Sequence, residues 1–211
     1  MASSPTANKV IGSKQDRVYV ERAAVRLIMR NDGGAVVLIW VPKGAYLKLP
    51  GGGIEGDEEH TVAARREAME ETGCTVSVED DCIAVCEEWR NGLHQLSYCY
   101  RARLIEDTGA VHLTADEVED GLQHRWYTPE AALREMRASM PTSELGGFIK
   151  EGDSFFLEQG AAWRYAGKLP KVLRCQVRLM LEQSPRHEQE TREGCQVRLE
   201  WEGDVRLSVH E

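Results

Sequence analysis

The chain has 211 residues, 42% hydrophobic and 29% charged, a globular composition long enough to bury a sizeable core. Its 35 acidic residues outweigh 26 lysines and arginines, for a net charge of -9. That balance argues against a nucleic-acid duplex or an anionic membrane as partner, yet allows phosphates reached through a divalent cation.

The opening "MASSPTANKVIGSKQ" has no apolar core of the kind a secretion signal needs, and the longest apolar run, Ala35–Val41, is too short to span a bilayer. The six cysteines form no CxxC pair, and Cys82 and Cys86 have no matching second pair with zinc-like spacing. Free buried thiols in a soluble, cytoplasmic protein are therefore expected.

Residues 1–16 are small and polar and are expected to be disordered. Val18–Met29 is rich in β-formers, Asn31–Gly34 carries tight-turn chemistry, and "AVVLIWVPKG" reads as a strand buried on both faces. A glycine corner follows, then a helix that starts near Asp57 or Glu58 and ends before Gly73. "CTVSVEDDCIAVCEEWR" and "LHQLSYCYRARLI" form a hairpin around Asn91-Gly92, with Leu96, Tyr98 and Tyr100 on one face. "GAVHLTADEVEDGLQ" reads as a polar loop and "HRWYT" as a short strand. Pro129 opens a helix, and Thr142–Gln159 is another, weakened by Gly146-Gly147.

The tail differs. The string CQVRL recurs at Cys175 and Cys195, too little for a repeat architecture. Residues 161–211 are expected to be mainly strands, with a turn at Glu202–Asp204, that edge the main sheet or make a homodimer contact. The core domain, residues 17–160, reads as a mixed sheet with helices packed against it, an α/β (α+β) class.

One helix carries the chemistry. Glu67 and Glu71 stack on one face, with Glu70 beside them, and Glu58 lies just before the helix or in its first turn. Adjacent carboxylates disfavour one another's ionised forms, a conflict that a hard, oxygen-seeking cation resolves. A solvated acidic face paired with Arg65 and Arg66 is the plainer alternative. Against it, Ala63, Ala64 and Ala68 let the helix approach a sheet closely, and the glycine corner lets a backbone carbonyl reach the same place.

The string Gly52-x5-Glu58-x7-Arg66-Glu67-Ala68-x-Glu70-Glu71-x-Gly73-Cys74 resembles the Nudix box, the signature of the Nudix hydrolases. Every polar and glycine position is filled, while Ala68 and Cys74 stand where a bulky aliphatic is usual. "YLKLPGGGIE", "LTADEVEDGLQHRWYTPEAAL" and "GGFIKEGDSFFLE" extend the likeness over residues 18–160. The resemblance implies the Nudix fold, a mixed β-sheet sandwiched between helices (α/β/α).

It also implies a small-molecule diphosphate substrate and Mg2+ or Mn2+. Glu67, Glu70 and Glu71 would be the metal ligands, one of them also serving the base, with Glu67, Glu70 and Arg66 the catalytic group. Arg66 would orient a box glutamate. The Gly51 carbonyl and Glu58 would add to the metal site, as would a loop acid, Glu117 ahead of Glu119 and Asp120. His60 and His94 read as surface residues.

Substrate choice is less legible. The absence of proline between Cys74 and Thr128 weighs against an ADP-ribose pyrophosphatase. Trp89 and Arg90 stand where some dinucleoside polyphosphate hydrolases carry a tyrosine. Trp89, Tyr98 and Trp126 are candidates to stack on a base. A nucleoside triphosphate leads, with an isoprenyl diphosphate or a non-catalytic binding module as alternatives.

Overall fold

The structure is a computed structural model that describes residues 8–161 and the backbone of residues 196–202 and 204–210. The chain divides into two compact units, residues 1–162 and residues 163–211.

The first unit is built on a seven-stranded mixed sheet. Its strands are β1 (Lys9–Gly12), β2 (Val20–Arg30), β3 (Val36–Val41), β4 (Tyr46–Lys48), β5 (Cys74–Arg90), β6 (Leu93–Asp107) and β7 (Gln123–Tyr127). The order is β1-β5-β6-β2-β3-β4, and β7 pairs with β3. Four helices accompany it: α1 (His60–Thr72), α2 (Ala115–Asp120), α3 (Pro129–Ala138) and α4 (Glu144–Ala161).

Local chemistry explains the long hairpin. Asn91 and Gly92 both take positive φ, 42° and 78°, the turn whose twist matches paired strands. β6 then runs parallel to β2, with Val20 opposite Leu93 and Arg26 opposite Cys99. β3 is buried along nearly its whole length, as an apolar run flanked by β4 and β7 must be.

The helices cover both faces. Ala63, Ala64 and Ala68 of α1 pack against Val25, Leu27, Val76 and Tyr100. On the other face Ala132 and Met136 of α3 and Phe156 and Leu157 of α4 meet Ile28, Leu38, Cys86 and Cys99. The α/β/α sandwich is thus realised.

Several expectations need correction. Lys9–Gly12, expected to be disordered, pairs in parallel with β5 from Cys86 to Trp89. The loop after β6 contains α2, held by a capping box in which Thr114 and Glu117 satisfy each other's backbone amides. α1 begins at His60 because Gly56 turns with φ 51° and Glu58 is held in a turn by Glu55.

The four described cysteines, Cys74, Cys82, Cys86 and Cys99, are free thiols. The expectation for Cys175–Gln183 lies outside the described residues. In the second unit β8 (Gln196–Glu202) and β9 (Asp204–His210) pair antiparallel, Glu202 opposite Asp204.

Candidate active site

The site begins with the loop after β4. Pro50 and Gly52 accept hydrogen bonds from Leu27 and Val25 of β2, and Ile54 donates back to Ala23. The loop therefore runs as an extra strand along β2. Gly51 has φ 136°, and a Cβ there would sit 2.2 Å from the Val25 carbonyl oxygen. At Gly52 a Cβ would fall 2.5 Å from Glu67 Oε1, so the missing side chain is where the Glu67 carboxylate packs.

α1 delivers the acids. Glu67 and Glu71 are buried, 7% and 3% exposed, whereas the Glu70 side chain keeps 39% of its surface. Burial, then the neighbouring Glu71, pushes the Glu67 carboxyl above its ordinary pKa, against the pull of Arg66.

Two cations hold the cluster. Arg66 Nη1 donates to Glu67 at 2.9 Å and to Glu70 at 3.1 Å. Its Nε and Nη2 grip Glu58 at 3.1 and 2.9 Å, and Nη2 also reaches the Gly53 carbonyl at 2.9 Å. That hydrogen bond to Arg66 holds Glu58 below its usual range. Lys48 of β4 donates to Glu71 Oε1 at 2.5 Å, while the Gly51 amide donates to Glu71 Oε2 at 2.8 Å. Burial opposes the Lys48 charge, yet the attraction of Glu71 keeps its pKa above the usual value.

Arg66, Lys48 and the three glutamates Glu67, Glu70 and Glu71 line a cavity of about 410 Å³. Gly51–Gly53 and these box acids line it together with Arg22, Arg26 and Arg90, Arg22 lying against Gly53. Tyr46, Leu93, Leu145 and Ile149 supply apolar wall, and Thr114 and Glu117 close one rim. A pocket with carboxylates beside guanidinium groups suits a phosphate chain bridged by a cation.

A family model described as the NUDIX domain matches residues 20–155. The chain belongs to the Nudix family. No curated protein matches it. Solved structures similar to it include a MutT protein from Methanosarcina mazei Go1, 18% identical, TM-score 0.48, spanning 69% of this chain and 95% of the other. The E. coli ORF135 protein is 22% identical, with TM-score 0.48 over 70% and 94% of the two chains. An Ap4A hydrolase from C. elegans is 19% identical, with TM-score 0.46 over 68% and 98%.

Nudix hydrolases need a divalent cation, and the donor set can be tested for one. Among the described residues no three His, Cys, Asp or Glu side chains converge into a metal cluster; Arg66 bonds Glu67 and Glu70, while Lys48 bonds Glu71. The chemistry nevertheless fits a hard cation. All donors are oxygens, and the Glu67 carboxylate lies against a glycine face.

The other sequence candidates scatter. Glu117 reaches the rim, but its carboxylate accepts from the Thr114 amide at 2.8 Å and hydroxyl at 3.0 Å. Glu119 and Asp120 pair with Lys43 on the surface. Glu58 is near the box acids only through Arg66 and does not line the cavity.

The three aromatics do not line it either. Trp89 stacks on His94 at 3.7 Å and meets the Tyr19 ring edge-on and Lys14. Strand alternation sends Trp89 to the opposite face from Glu88 and Arg90. Tyr98 packs on His60 beneath α1, and Trp126 joins the same core. The histidines are not plain surface residues: His60 hydrogen bonds Tyr100 at 2.8 Å, and His94 lies between Glu21 and Glu87.

Sequence reading missed Arg22, Arg26, Lys48 and Arg90 in the cavity. Arg22 and Arg26 share one face of β2 by period-two spacing, but Lys48 ends β4 and Arg90 ends β5, and only the strands' neighbours say which face each marks.

Proposed function

We propose that this Nudix domain hydrolyses the phosphoanhydride bond of a nucleoside diphosphate joined to another group, a nucleoside triphosphate being the favoured form, with Mg2+ or Mn2+. The observation that carries the reading is the Glu67–Glu71 pair, buried on one helix face against Gly51–Gly52, in a cavity that Arg22, Arg26 and Arg90 also line.

Glu67, Glu70, Glu71 and the Gly51 carbonyl would hold the cation, with Glu117 at the rim. The cation supplies charge neutralisation at phosphate oxygens and a water that ionises near neutral pH. Arg66 keeps Glu67 and Glu70 in register with each other and with the loop. A box glutamate would take the proton of the attacking water. Lys48 and the Gly51 amide orient Glu71. Tyr46, Leu93, Leu145 and Ile149 give the nucleoside an apolar surface, the role the sequence reading assigned to Trp89, Tyr98 and Trp126.

Free thiols at all four described cysteines support a reducing compartment, the cytoplasm. The alternating tail supports a homodimer contact outside the catalytic unit.

The test measures phosphate and diphosphate release with Mg2+ across nucleotides, sugar nucleotides and prenyl diphosphates. Glu70→Gln and Glu71→Gln are expected to lower kcat by roughly a hundredfold or more. No turnover of any substrate, or full activity in both variants, defeats the proposal. Turnover of prenyl diphosphates alone would move the substrate to the non-nucleotide class.

A further inference from the structure

The face of the sheet that meets α4 changes character along its length. At one end Ile28, Ala84, Cys86 and Cys99 pack apolar against Phe156. Towards the other end the same face carries Arg26, then Arg22, Gln95 and Glu88 in one cross-strand row, with Arg90 in the next. Arg26, Gln95 and Glu88 are buried while Arg22 is exposed, and buried polar groups cost desolvation unless they are bonded or serve a ligand.

The bonds position the arginines without neutralising all of them. Gln95, 1% exposed, accepts from Arg22 Nη1 at 3.1 Å and donates to Ser97 at 2.9 Å and Glu88 at 3.4 Å. Glu88, 3% exposed, accepts from Arg90 Nε at 3.1 Å. Arg26 pairs with Asp153. Three guanidinium groups thus meet two carboxylates, and the hydrogen bond that holds Arg22 is to a neutral amide.

Arg22 is exposed as a residue, yet desolvation of its guanidinium, then the nearby Arg26 and Arg90, holds its pKa below the usual value. An anion between Arg22 and Arg90 would relieve that repulsion. Arg22 also lies on the glycine loop: a Cβ on Gly53 would be 3.2 Å from its Nη2, one residue from where Glu67 packs against Gly52. The excess charge therefore adjoins the carboxylates, in the same cavity.

We propose that Arg22 and Arg90 bind the phosphoryl group beyond the scissile linkage, so that the enzyme selects substrates with three or more phosphates over nucleoside diphosphate sugars. Guanidinium forks present paired donors that match phosphate oxygens. The assignment rests on the hydrolase reading above for which bond is cut, but the anion subsite can be tested without turnover.

Two measurements on the full chain decide it. The first is kcat/KM for a nucleoside triphosphate divided by kcat/KM for a nucleoside diphosphate hexose. The second is calorimetric affinity for tripolyphosphate divided by that for pyrophosphate, without divalent metal. Arg22→Gln and Arg90→Lys are each expected to lower both ratios about tenfold or more.

Unchanged ratios in folded variants overturn the proposal, as does an equal loss for long and short chains. If wild type turns over nothing, the hydrolase reading fails, and the binding ratio still decides for or against the arginine pair. If Arg90→Lys unfolds because Glu88 loses its partner, the exposed Arg22→Gln decides alone.

Discussion

Two adjacent glycines of the box loop face different obstacles, so their substitutions should fail differently. At Gly51 a methyl would meet the Val25 carbonyl, rigid backbone, and φ is 136°. Gly51→Ala is expected to lose on the order of 3 kcal/mol of stability or more in urea unfolding. At Gly52 the obstacle is the end of the Glu67 side chain, which can swing away. Gly52→Ala should keep most of its stability and lose activity, since the displaced carboxylate is one of the proposed metal ligands. Equal loss of stability in both would mean that the Gly52 contact is structural. The box pattern singled out Gly52, and the family resemblance Gly51, but only tertiary packing says what each one avoids.

At the scale of elements, α4 is tied to the sheet by a buried ion pair. Asp153 accepts from Arg26 Nε at 3.2 Å and from the Leu49 amide at 2.7 Å, linking α4 to β2 and to the start of the box loop. Burial outweighs Arg26 and pushes the Asp153 carboxyl up from 3.8 to about 6. A raised pKa means that the folded protein holds this proton more tightly than the unfolded chain. The resulting stabilisation is complete below pH 4 and is lost as pH rises through about 6. Its size is on the order of 3 kcal/mol.

Wild type should therefore lose stability relative to Asp153→Asn between those pH values, measured by urea unfolding of both. A wild-type advantage that grows with pH would show instead that Arg26 outweighs burial. Nothing in the sequence joins Arg26 to Asp153. They are 127 residues apart and meet only because α4 crosses the face of β2.

Over the whole molecule, net charge misleads about the cavity. A chain of -9 still places Arg22, Arg26 and Arg90 on one wall, because period two along β2 and β5 sends them to the same face. Among the described residues the hydrophobic clusters lie between Ile11 and Leu157, within the first unit. A chain cut after residue 162 is expected to unfold cooperatively and to keep the full-length kcat. Light scattering should then give a dimer mass for the full chain and a monomer mass for the truncated one. Equal subunit counts would remove the tail as the dimer contact.

Sequence alone determined the box. Helical spacing put Glu67 and Glu71 on one face, Asn91-Gly92 closed a hairpin, and Pro129 opened a helix, since each depends on residues close in the chain. α2 escaped notice because six residues carry too little periodicity, and only the Thr114–Glu117 capping box marked it. Which aromatics face the cavity, and which arginines do, was decided by tertiary structure. An alternating strand has two faces, and only the helices packed on each side say which of them becomes the floor of a site.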